Sequence, residues 1–130
     1  MGTPPLVLVI EDSPTQAQQL GVILTAHGLQ VLIADDGLKG LQLVDERHPD
    51  LVVLDVNLPT MDGYQVCKRL KRDPNTAHIP VVMLTSAASA SATVQGLDVG
   101  ADDYIPKDSF ATENLLATID VYLGNPQDGA

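Results

Sequence analysis

An α/β fold is what this sequence predicts: an open, doubly wound parallel sheet of five strands with helices on both faces. Two observations carry that prediction. Short runs rich in Val, Ile and Leu recur without polar alternation, as strands covered on both faces do. Between them, apolar residues return at helical spacing.

The elements follow in order along the chain. Leu6–Ile10 reads as the first strand and ends at Glu11-Asp12. Ser13-Pro14-Thr15-Gln16 then offers an N-cap, a proline at the first helical position and a capping-box glutamine. Ala17, Leu20 and Leu24 share one face of that helix, which Gly28 ends. Val31–Ala34 is the second strand, and Asp35-Asp36 starts a helix with Leu38, Leu41 and Val44 on its core side. Leu51–Leu54 is the third strand; Val66 and Leu70 mark the next helix, which Pro74 stops. Val81–Leu84 is the fourth strand. Ala87–Gly100, built from Ala, Ser, Thr and Gly with Gly96 inside, reads as a weak helix. Tyr104–Ile105 is a short fifth strand, and Leu115, Ile119 and Tyr122 line the last helix. Five β/α units make one domain over residues 5–123, with 124–130 a frayed end or linker stub.

Composition narrows the function. The chain has 130 residues, with seven Lys+Arg against seventeen Asp+Glu, a net charge of −10 and a pI near 4.3. A phosphate backbone wants a basic face, so direct nucleic-acid binding is not expected. Hydrophobic residues make up 45% of the chain and aromatics only 3%, which makes the core aliphatic. Cys67 is the single cysteine, so no internal disulfide can form, and a reducing cytoplasmic setting is expected. The run Leu6–Ile10 is too short to span a membrane or serve as a signal core, and Leu6 stands where a myristoylation site wants Ser or Thr.

Ligands of open α/β sheets bind beyond the carboxyl ends of the strands. Those ends carry Glu11-Asp12, Asp55, Thr85 and Lys107. Three acids thus meet a hydroxyl and an ammonium at one edge. Two like charges about 5 Å apart repel by roughly 3 kcal/mol at an effective dielectric near 20, so such a cluster holds either a proton or a cation. Hard oxygen ligands suit Mg²⁺. A cation beside Asp55 would offset the charge of a phosphoryl group, with Lys107 and Thr85 holding its other oxygens and Asp55 as nucleophile.

These residues resemble the receiver domains of two-component response regulators. The resemblance rests on Val9-Ile10-Glu11-Asp12-Ser13, on Leu54-Asp55-Val56-Asn57-Leu58-Pro59-Thr60-Met61-Asp62-Gly63, on Leu84-Thr85-Ser86-Ala87 and on Gly100-Ala101-Asp102-Asp103-Tyr104-Ile105-Pro106-Lys107. Thr85 lies thirty positions after Asp55, and Lys107 twenty-two positions after Thr85. The resemblance implies a flavodoxin-like sheet with strand order 2-1-3-4-5. It makes Asp55 the phospho-acceptor, and Glu11 and Asp12 the acid pair for Mg²⁺, completed by the backbone carbonyl of Asn57. It makes Thr85 the hydroxyl that turns toward the phosphoryl group and Tyr104 the aromatic that then rotates inward, while Lys107 pairs with Asp55 and later with the phosphate. The surface reshaped would be that of the helix expected over 87–100, the last strand and the last helix.

One departure stands out. The family places proline directly after this lysine, joined by a cis bond; here Pro106 precedes Lys107 and Asp108 follows it. A cis bond without proline costs about 2.5–4 kcal/mol, so a trans path is expected, and Asp108 adds negative charge near the site. Pro106 fits a strand only at the sheet edge.

Plainer readings compete at each position. Asp55 could cap the turn before Pro59, and Glu11 and Asp12 could cap the first helix. Thr85 could be an ordinary strand end and Lys107 a solvated lysine. Their convergence outweighs these alternatives. Tyr104 as simple packing stays a serious rival. Lys68-Arg69-Lys71-Arg72 reads as a solvated helix face, Asp102-Asp103 as a turn, and Cys67 as core. His27, His48 and His78 are scattered and suggest no metal site.

The function expected is therefore a phospho-acceptor switch rather than an enzyme. A histidine kinase or histidine phosphotransfer domain would supply the phosphoryl group, docking on the first helix (Pro14–His27), and the output would pass to a downstream protein or a fused effector domain. No effector segment follows residue 123, so the chain is expected to be a stand-alone receiver or a piece of a longer hybrid. A receiver-like scaffold that binds partners without phosphorylation is the alternative. A phosphatase of the haloacid-dehalogenase type is disfavoured by Asn57, where a second aspartate would act as general acid, and by the missing cap insertion. Ala87 offers nothing to orient a water, which predicts a moderately long-lived phosphate.

Overall fold

A computed structural model describes residues 3–85, 100–108 and 111–124. Among them are five strands, β1 (Leu6–Ile10), β2 (Gln30–Ala34), β3 (Leu51–Asp55), β4 (Val81–Thr85) and β5 (Asp103–Pro106). Four helices are described: α1 (Pro14–Ala26), α2 (Gly37–Arg47), α3 (Gly63–Arg72) and α4 (Ala111–Leu123). The strands pair in parallel in the order β2-β1-β3-β4-β5. The helix expected over 87–100 falls, up to residue 99, outside the described residues, as do Ser86 and the tail 125–130.

Alternate residues of each strand feed two cores. Leu8, Ile10, Val52, Leu54 and Met83 pack with Val44 of α2 and with Val66 and Leu70 of α3 on one side. Val7, Val9, Val53, Val82 and Leu84 pack with Leu24 of α1 and with Leu115 and Ile119 of α4 on the other. Burial on both faces explains why the central strands show no polar alternation. β5 is an edge strand, which leaves room for Pro106.

Helix starts follow the capping residues. Ser13 accepts the Gln16 N–H at 3.4 Å, Asp36 the Lys39 N–H at 2.8 Å, and Asp62 the Gln65 N–H at 2.9 Å. The reciprocal capping box forms at Asp62–Gln65. At α1 the expected box partner, Gln16, instead turns its side-chain oxygen to Lys107. Gly28, at φ 91°, follows the end of α1 as expected.

Leu38 corrects the expected core face of α2, because it is 50% exposed. The helix rests on its glycine side instead, with Gly37, Gly40 and Val44 buried. A Cβ on Gly40 would collide with the side chain of Ile10, so the close approach to β1 rotates Leu38 outward. Gly40→Ala is therefore expected to destabilise the protein by about 1–3 kcal/mol through overpacking, despite alanine's better helix propensity. Urea unfolding measures this; a stabilised variant would contradict it.

Lys71 corrects the reading of α3's basic run as wholly solvated. Its ammonium is half-buried, 2.6 Å from Asp102 and 2.7 Å from the carbonyl of Ile79. Asp102 also accepts the Val81 N–H at 2.8 Å, so this turn residue ties α3 to the starts of β4 and β5. Lys68, Arg69 and Arg72 are exposed. Cys67 is core, and burial pushes its thiol up to about 11.

Candidate functional site

The carboxyl ends of β1, β3, β4 and β5 deliver four functional groups to one edge. Glu11 follows β1 and is 2% exposed; Asp55 ends β3 at 5%; Thr85 ends β4 and is fully buried. Lys107 follows β5, and its backbone N–H donates to the carbonyl of Thr85 at 2.6 Å. Asp12 stands at the exposed rim.

The Lys107 ammonium sits at the centre. It donates to Asp55 Oδ2 at 2.8 Å, to Gln16 Oε1 at 2.8 Å and to Glu11 Oε1 at 3.1 Å. Three donors therefore meet three acceptors. Burial alone would pull this ammonium down; the Asp55 and Glu11 contacts outweigh it and hold Lys107 above its ordinary 10.5. No cis peptide bond occurs among the described residues, and Lys107 reaches the acceptor by the trans path that its loop sequence suggested. Asp108 is exposed.

Asp55 uses both oxygens, Oδ2 for Lys107 and Oδ1 for the Asn57 N–H at 3.0 Å. Glu11 accepts the Ser13 N–H at 3.3 Å. Burial first, and the hydrogen bond and charge of Asp55 next, push the Glu11 carboxyl up from 4.5 to about 7, although Lys107 pulls the other way. Without a cation, the cluster thus relieves its repulsion by taking a proton on Glu11 near neutrality.

Glu11, Asp12 and Asp55 each present a carboxylate oxygen, and these atoms lie within 4.8 Å of one another. That donor set fits a hard divalent cation. The structure brings together Glu11, Asp12, Asp55 and Lys107 as the sequence predicts, with Asn57 held against Asp55 by its backbone. Tyr104 lies on β5, with β4 between it and Asp55 on β3, half-buried, with its hydroxyl 2.9 Å from that of Tyr64. Ala87 falls outside the described residues.

Two residues escaped the sequence reading. Gln16 looked like a cap and holds Lys107 instead; its place in the first turn above the strand ends was the available signal. Tyr64 carried no signal, since its partner is forty residues away. No described helix is long and apolar enough to cross a membrane.

Residues 7–120 match the response regulator receiver domain family. The DNA-binding dual master transcriptional regulator RpaA of Synechocystis is 44% identical over 115 residues, covering 88% of this chain and 47% of that protein. The response regulator MprA of Mycolicibacterium vanbaalenii is 41% identical over 129 residues, covering 98% of this chain and 54% of that protein. The chain therefore spans about half the length of these relatives. Among solved structures, the receiver domain of a signal transduction histidine kinase from Syntrophus aciditrophicus aligns with a TM-score of 0.85 at 34% identity. That alignment covers 97% of this chain and 95% of the other. The sequence match and these likenesses agree with the strand order: the chain belongs to the response regulator receiver domain family.

Proposed function

We propose that the protein is a phospho-acceptor switch in which Asp55 takes a phosphoryl group from a phosphohistidine on a partner kinase or phosphotransfer domain. The observation that carries this reading is the buried Asp55 carboxylate, gripped by Lys107 at 2.8 Å beside two further acids.

The chemistry follows from the groups present. A carboxylate oxygen of Asp55 attacks phosphorus, forming a P–O bond. The electron pair of the breaking P–N bond leaves on the imidazole nitrogen, which gains a proton. Lys107 orients Asp55 beforehand and offers its positive charge to the phosphoryl oxygens afterwards. The Thr85 hydroxyl, at the end of the neighbouring strand, would take up another oxygen, and the buried site limits water. Glu11, Asp12 and Asp55, with the Asn57 carbonyl, would hold Mg²⁺, whose charge offsets that of the incoming phosphoryl group.

The donor would dock on α1. A groove of about 850 Å³ between α1 and the edge strand β2 opens beside Glu11 and Asp12 and is lined by apolar residues including Ala17, Val22 and Ile33. Val22 and Ile33 are exposed there, ready for an apolar side chain of the partner. Tyr104 then reports phosphorylation to the surface around β5 and α4, for a downstream protein or effector domain to read.

Intact mass after incubation with Mg²⁺ and a small phosphodonor tests the reading. One phosphoryl adduct is expected, lost on chelation and absent from Asp55→Asn. No adduct with any donor would transfer the lead to a phosphorylation-independent scaffold.

A further inference from the structure

Tyr64 plays no part in the chemistry above, yet its hydroxyl lies 2.9 Å from that of Tyr104. We infer that Tyr64 is a positioning residue for the switch, its hydroxyl holding Tyr104 inward before any phosphoryl group arrives. This inference rests on the switch reading of Asp55 and Tyr104.

Tyr64 is the fixed member of the pair. It follows Gly63, on which a Cβ would collide with the carbonyl oxygen of Asp55 itself. The Gly63 N–H donates to the Val56 carbonyl at 2.9 Å, and the Asp62–Gln65 capping box locks the same turn. The start of α3 is thereby wedged against the acceptor's own backbone. Tyr104 is the freer member, on an edge strand paired on one side through Met83. Both rings pack on the core that contains Met83. Burial first, then the Tyr104 hydroxyl, raises the Tyr64 phenol above its ordinary value, which keeps it a neutral group able to donate or accept.

Direct contacts thus run from Asp55 through Gly63 and Tyr64 to Tyr104. Whatever inward pose phosphorylation favours, the hydroxyl pair favours in advance, and the two effects are linked reciprocally. One such hydrogen bond is worth about a five-fold bias between poses.

Isotope-labelled tyrosine tests this in the full chain, which has three tyrosines. Signals are assigned with Tyr64→Phe, Tyr104→Phe and Tyr122→Phe, and intact mass is recorded before and after Mg²⁺ and phosphodonor. Tyr64→Phe keeps the ring and is expected to move the Tyr104 signal while leaving Tyr122 in place, with the ratio of inward to outward pose falling about five-fold. Tyr104→Phe should move Tyr64 in return. On phosphorylation, Tyr104 should move further inward in both proteins, by the smaller step in the unaltered chain, and in Tyr64→Phe it should return toward its unaltered position. Identical Tyr104 signals in both proteins, with the adduct present, would overturn the inference. So would equal shifts of all tyrosines, which would mark a general loosening. An adduct missing from the unaltered chain would instead sink the phosphoryl reading, and the switch role of the pair with it.

Discussion

Lys107→Ala is expected to slow phosphorylation by about a hundred-fold or more, the scale of losing one charge-stabilising donor from a buried site. It is also expected to cost about 3 kcal/mol of stability in metal-free protein, because two buried carboxylates lose their shared cation. The stability loss should depend on pH. In the unaltered chain the Glu11 carboxyl is raised from 4.5 to about 7. Between those values the folded state binds more protons than the unfolded, so this group's contribution falls as pH rises. Lys107 opposes the rise, so its removal carries the fall to higher pH. Unfolding in urea should show a small deficit near pH 5 and the full deficit near pH 8. Equal deficits at both would contradict the pairing of Glu11 with Lys107.

Mg²⁺ binding is expected to expel a proton. With Glu11 near 7, cation binding should release about nine-tenths of a proton at pH near 6 and about one-tenth near 8. Apparent affinity should therefore climb with pH up to about 7 and then level off. Calorimetry in two buffers of different ionisation enthalpy reads the proton count directly. A count that does not change with pH would mean that Glu11 is already ionised in the free site. Glu11→Gln should abolish the pH dependence and weaken binding, while Asp12→Asn should weaken binding and keep it.

Much of this was legible in the sequence because it depends on local pattern. Unbroken aliphatic runs betray strands covered on both faces, and the residues just beyond them, Glu11, Asp55, Thr85 and Lys107, reach one edge by the rule for parallel sheets. What escaped depends on contacts between distant elements. Leu38 has helical spacing like any core leucine, and only the collision that Gly40 avoids with Ile10 turns it out. Lys71 is indistinguishable in sequence from Lys68, yet it ends on Asp102, thirty-one residues on. His27 suggested no role, and its ring is 2.8 Å from Asp120, closing the end of α1 onto α4. Gln16 satisfied a capping pattern and was claimed by Lys107, a charged donor that makes the stronger hydrogen bond.

The most direct measurement is chemical location of the adduct. Borohydride reduces an acyl phosphate to the alcohol, converting a phosphorylated aspartate to homoserine, which peptide sequencing places. After Mg²⁺ and phosphodonor, homoserine is expected at position 55 and nowhere else. Homoserine at Asp12 or Asp108, or none at all from protein that carries the adduct, would contradict Asp55 as the acceptor.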